Sequence, residues 1–222
     1  MHHCRVLVPL LLSAAVLPFD TRAAASLLVD DASITDPRHC QLESWVRHSR
    51  DGQAWTAVPA CTVADTEWSL GLTRAPAQNA PQWAVGAKRV LVPRTSRRWG
   101  LAASVGWDGT VHRPRGDDWN LTVPLTVALD AQERAQLHLN LGWAHHPHAR
   151  GRTAGVGMEI ALHRHWALLA ESARDAERQR RSQLGVRRSL WPGASVDLLV
   201  GHVHHHPDGR WLALGLNLAA LP

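Results

Sequence analysis

The chain has 222 residues, and its formal net charge of +5 comes from 23 arginines and a single lysine, Lys88, against 19 acids. The arginines are scattered and not clustered, which together with an export signal argues against a nucleic-acid partner; arginines in loops facing anionic lipopolysaccharide suit this distribution better. No stretch beyond the amino-terminus approaches the length of a spanning helix, so any membrane insertion has to come from strands.

Residues 1–25 have the three-part layout of a secretory signal peptide: one firm positive charge at Arg5, an apolar run from Val6 to Leu17, and Ala23-Ala24-Ala25 before Ser26. A transmembrane helix is the rival reading, but it needs about 20 apolar residues and Pro9 interrupts this run. The mature chain, residues 26–222, is one domain with no linker and no low-complexity block. Cys4 leaves with the signal peptide. Cys40 and Cys61 then remain as a pair in an oxidising compartment, which favours a disulfide over a free thiol or a metal site.

Segments of about ten residues then repeat a period of two. Trp99, Leu101, Ala103, Val105 and Trp107 take one parity, and Gly100, Ala102, Ser104 and Gly106 the other. The same alternation runs from Trp119 to Leu129, from Gln136 to Trp143, from Gly155 to Leu162 and from Leu212 to Leu218. Strict alternation is strand periodicity, because successive side chains point to opposite faces. It predicts about twelve strands, near 38–49, 53–63, 66–75, 82–92, 97–109, 117–130, 134–145, 152–164, 166–174, 181–190, 194–204 and 210–220, with ten as the alternative. An even count suits a single-chain bacterial barrel. Links after odd strands (75–82, 109–117, 145–152, 174–181 and 204–210) are expected to be the longer, external ones if the mature amino-terminus is periplasmic. Cys40 and Cys61 fall opposite each other across the first hairpin, with Asp51-Gly52 as its turn.

The second parity is mostly Gly, Ala, Ser, Thr and Asn, which suits a crowded lumen better than a solvated surface. Trp68, Trp83, Trp99, Trp107, Trp119, Trp143, Trp166 and Trp191 fall near strand ends, where an interfacial belt belongs, while Trp211 takes the inward parity. The expected fold is therefore all-β: a transmembrane antiparallel up-and-down barrel in the bacterial outer membrane. A soluble barrel with leucines inside is the competing fold.

Asp30-Asp31-Ala32, Cys40-Gln41-Leu42-Glu43-Ser44-Trp45 and Pro59-Ala60-Cys61, taken with the barrel pattern, resemble a family of small bacterial outer-membrane proteins regarded as transporters. These look like the group associated with meta-pathway phenol degradation. The resemblance implies a porin-like barrel and passage of small hydrophobic or aromatic compounds.

The inward parity also carries Gln41, Glu43, Glu67, Gln82, Lys88, Glu159, Glu171, Arg187 and Asp197. Charges inside a barrel must meet water or each other, so they line a polar pore or form an ion-pair network that plugs it. Glu43, Glu67, Lys88, Glu159, Glu171 and Arg187 are the expected lumen-lining charges. Two His-rich links, with His145, His146 and His148 and with His202, His204, His205 and His206, are weak metal candidates against a reading as solvated loop tips. No G-x-S-x-G, H-E-x-x-H or C-x-x-C motif occurs in the sequence, so no catalytic residue and no cofactor is assigned. The expected function is a non-enzymatic channel for small solutes. A closed structural or ligand-binding barrel is the first alternative, and a lipid-modifying enzyme the second. Expected partners are outer-membrane lipid, lipopolysaccharide, the barrel-assembly machinery and the solute.

Overall fold

The computed structural model describes residues 26–75, 80–95, 97–111, 113–146 and 149–221, so the signal peptide expected at 1–25 and the candidate His148 lie outside the described residues. Twelve strands follow in order: β1 Cys40–Ser49, β2 Gly52–Val63, β3 Thr66–Arg74, β4 Gln82–Val92, β5 Trp99–Thr110, β6 Arg113–Ala128, β7 Ala135–His146, β8 Ala149–His163, β9 Trp166–Arg174, β10 Arg180–Trp191, β11 Ala194–Val203 and β12 Arg210–Leu221. Each pairs antiparallel with its sequence neighbours, and β1 pairs with β12, which closes the barrel. Closure leaves no edge strand whose backbone groups lack partners, and that is the condition for strands to cross hydrocarbon.

The direction of the side chains follows the alternation. Leu141 is 68% exposed and Leu214 54%, whereas Ala102 and Ala213 are fully enclosed. Outward leucines, valines and tryptophans cover the wall, among them Leu70, Leu72, Leu121, Val156, Leu184 and Leu198. Exposed tryptophans gather toward the two ends of the strands. Trp68, Trp99, Trp166 and Trp191 lie at one end, and Trp55, Trp107, Trp119 and Trp143 at the other, the arrangement of two interfacial girdles. Trp211 is enclosed, as its parity predicts.

Two expected links differ. Most of the described residues of 109–117 and 145–152 carry strand instead of long loop: β5 ends at Thr110 opposite Arg113, and β7 runs to His146 opposite Ala149. Arg150 and Arg152 make the composition loop-like, yet the ladder continues through His145↔Arg150 and Trp143↔Arg152. Strand pairing needs only backbone groups, so polar side chains are tolerated wherever a hairpin rises beyond the apolar band. The gap between β4 and β5, from Val92 to Trp99, is among the longer ones, so link length does not separate the two ends as expected.

Cys40 and Cys61 are Cα partners in the β1–β2 ladder and form a disulfide with a sequence separation of 21. At the other end of that hairpin Gly52 adopts φ +111°, a conformation open to glycine and costly to residues with a Cβ. Replacing both cysteines by serine is expected to lower unfolding stability by about 3 kcal/mol in the chain-entropy model. Urea midpoints of the detergent-folded barrel with and without reductant measure it, and equal midpoints contradict it.

Candidate functional site

The barrel interior is divided by residues 26–35, which precede β1 and lie inside it. Ser26, Val29, Asp31, Ala32 and Thr35 are buried there. A segment without regular structure can be buried only if its backbone groups find partners, and inward side chains supply them. Leu28 N and Val29 N donate to the two oxygens of Glu171 at 2.9 and 3.2 Å. Asp30 N donates to Asn140 Oδ1 and Asn140 Nδ2 donates to Asp30 O, each at 2.7 Å. Ala32 N donates to Thr126 Oγ1 at 2.9 Å and Thr35 N to Glu67 Oε2 at 2.8 Å. Gln183 Nε2 donates to Ser26 O at 3.1 Å.

The inward glycines find their reason here. A Cβ added at Gly155 would lie 2.9 Å from Val29 Cγ2, and one at Gly215 2.9 Å from Ser26 Oγ. Both are closer than ordinary contact, so β8 and β12 carry glycine where the segment touches the wall.

Leu27 and Leu28 of the segment pack against one half of the wall. Leu169, Leu199, Trp211 and Ala213 form an apolar core inside the barrel, with Leu27, Leu28 and Val203 against it. Beside this core lies an enclosed ion network. Arg187 donates through Nε and Nη2 to both oxygens of Asp197, at 2.7 and 3.0 Å, and through Nη1 to Glu159 Oε2 at 3.1 Å. Asn217 Nδ2 also donates to Asp197 Oδ2 at 3.1 Å. Asp197 is fully enclosed, so bidentate pairing with Arg187 is what makes its charge tolerable.

The other half holds a cavity of about 390 Å³. Its polar wall includes Gln41, Glu43, Glu67, Ser69, Lys88, Ser104, Asn120 and Thr122, and the segment contributes Leu27, Asp30, Asp31 and Ile34. Lys88 Nζ lies 2.7 Å from Asp30 Oδ1 and 3.4 Å from Asp31 Oδ1, tying the segment to β4.

The six sequence-assigned charges thus separate into two groups. Glu43, Glu67 and Lys88 border the cavity, whereas Glu159 and Arg187 belong to the ion network and Glu171 holds the backbone of the segment. Gln82 is exposed at the start of β4. Asp30, Asp31, Thr126, Asn140 and Gln183 contact or form the segment and were not assigned as site residues from sequence. The signal available was Asp30-Asp31 just ahead of the first strand, with Lys88 the chain's one lysine.

The histidine tracts do not converge. His202 and His204 rings lie 4.3 Å apart between centroids, and His204 Nε2 is 2.9 Å from Ser182 Oγ. His145 instead stacks on Trp119. Among the described residues, the grouping with metal-ligand spacing is Asp108, Asp118 and His146, which takes one histidine from the expected set.

A family model described as "Uncharacterised conserved protein UCP029691" matches residues 11–220. No curated protein matches the sequence. Among solved structures, the barrel is similar to the KdgM porin, with a TM-score of 0.66 at 10% identity over 81% of this chain and 98% of that one. It is also similar to the Acinetobacter baumannii outer membrane protein Omp33, with a TM-score of 0.59 at 8% identity over 82% and 98%. The COG4313 outer membrane channel from Pseudomonas putida F1 gives a TM-score of 0.56 at 11% identity over 85% and 97%. At such identities the shared property is the fold.

Proposed function

We propose, from the premise that the chain belongs to the family Uncharacterised conserved protein UCP029691, that it is an outer-membrane channel for small solutes. The observation that carries this reading is the polar cavity of about 390 Å³ inside a closed barrel whose outer wall is apolar. That volume lies in the range of small-ligand sites. The passage runs along β1–β6, past residues 26–35, with Glu43, Glu67 and Lys88 as its lining charges. Glu159, Glu171 and Arg187 act behind it, as the network that anchors the segment.

Leu27, Ile34 and Val58 share the cavity lining with Ser69, Ser104, Asn120 and Thr122. Such a lining suits small solutes with an apolar body and a polar edge. This supports the aromatic class implied by the resemblance to proteins of meta-pathway phenol degradation. One solved neighbour is the KdgM porin in complex with oligogalacturonate. Here four acids, Asp30, Asp31, Glu43 and Glu67, share the cavity lining with a single base, Lys88, which pairs with Asp30 and Asp31; this disfavours a polyanionic solute and favours neutral or cationic ones.

Planar-bilayer recording tests the proposal. Discrete conductance steps with a preference for potassium over chloride are expected, and Lys88→Ala is expected to raise that preference several-fold. A silent purified barrel overturns the channel reading. It would favour a closed structural barrel, a second reading supported by the enclosed Arg187–Asp197–Glu159 network.

A further inference from the structure

At the end of the barrel opposite the disulfide, β5, β6 and β7 bring three ligand-bearing side chains together. Asp108 and Asp118 are direct Cα partners across the β5–β6 ladder, and both are half-buried. Two like charges placed directly opposite each other destabilise a strand pair unless something neutralises them. His146, near the end of the neighbouring β7, puts Nδ1 3.7 Å from Asp118 Oδ1, too far for a hydrogen bond. The same Asp118 Oδ1 is withdrawn from the surface and accepts no hydrogen bond among the described residues. A buried carboxylate oxygen left without a donor carries its full desolvation penalty.

The ligand atoms of Asp108, Asp118 and His146 all lie within 4.8 Å of one another. Ligands about 2.1 Å from one ion are at most about 4.2 Å apart, so small side-chain rotations suffice for all three to reach a shared centre. Two carboxylates and one imidazole make a mixed oxygen and nitrogen set. Calcium and magnesium prefer all-oxygen shells, whereas zinc and its first-row neighbours accept imidazole. Two aspartates balance the charge of one divalent ion, and the ion satisfies the orphaned Asp118 oxygen.

We propose that Asp108, Asp118 and His146 form a binding site for a single divalent transition-metal ion of the zinc class. The ion fastens β5, β6 and β7 at the barrel mouth and cancels the two negative charges there. The three residues lie outside the cavity described above, so the site stands independently of the channel reading. The outward Trp107 and Trp119, paired on the rung next to Asp108 and Asp118, and Trp143 farther along β7 hold these strand ends in the apolar wall.

Zinc titration of the chelator-stripped, detergent-folded barrel by calorimetry tests the proposal, with cobalt absorption as a second readout. One ion per barrel is expected, together with a rise in melting temperature on zinc addition. Both are expected to disappear in Asp118→Asn and in Asp108→Asn, whose near-identical shapes preserve the fold, as unchanged heat-modifiable gel mobility would verify. Both should survive in a chain with His202, His204, His205 and His206 all replaced by alanine. Absence of zinc uptake by the native chain overturns the proposal. So does uptake that persists in both aspartate variants, or that is lost only with the four loop histidines.

Discussion

Deleting Ser26–Thr35 is expected to raise single-channel conductance several-fold. The segment crosses the lumen between β3–β4 and β7–β12, and its removal admits water to Asn140, Glu171 and Gln183, whose polar groups now serve its backbone. Exposed to water, these side chains lose their protein partners without being left bare, so the barrel should still fold; its wall hydrogen bonds do not involve the segment. A milder variant, Asp30→Asn with Asp31→Asn, removes the ion pairs to Lys88 while leaving the backbone contacts. It is expected to give brief openings to the higher conductance level and not a permanent one. Conductance equal to that of the native chain in the deletion variant would show that the segment does not limit the passage.

The second large effect is expected at Arg187. Arg187→Met strands the enclosed Asp197 and leaves Glu159 without its cation. Breaking a buried ion pair from one side costs about 3–5 kcal/mol. The variant should unfold at markedly lower urea concentration and lose its resistance to SDS at lower temperature. Replacing the three together, Arg187→Met with Asp197→Leu and Glu159→Gln, removes both carboxylates bonded to the guanidinium and is expected to recover most of that loss. If the single variant matches the native chain in both measurements, the network contributes nothing to holding the wall together.

The wall of the barrel was legible because it obeys a local rule. Each strand carries its own lipid-facing parity, as in Leu137, Leu139, Leu141 and Trp143, so no distant contact is needed to recognise it. The disulfide was legible for a similar reason: the turn at Asp51-Gly52 sets the register, and the register sets Cys40 against Cys61. The lumen was not. Residues 28–32 have no period, and their partners stand from 94 to 143 positions away in the chain. Leu169 and Leu199 keep the alternation but put large apolar side chains on the inward parity, where Leu27 and Leu28 pack against them. A neighbour contributed by an irregular segment leaves no mark on the periodicity of the strand it touches. The grouping of Asp108 and Asp118 with His146 was hidden differently. Both aspartates fall in the expected strands 97–109 and 117–130, but His146 falls in the expected link 145–152, where a loop-like composition masked a continuing ladder, and without that ladder it has no reason to meet the two aspartates.

Every conclusion about the interior depends on which face of the strands meets lipid. Single cysteines at Leu121 and Leu214, and one position away from Leu121 at Asn120 and Thr122, labelled with an environment-sensitive fluorophore in bilayers, test that directly. Labels at Leu121 and Leu214 are expected to be quenched by brominated lipid tails and protected from aqueous iodide, with the opposite pattern at Asn120 and Thr122. Iodide quenching at the leucine positions with lipid quenching at Asn120 and Thr122 would contradict the account.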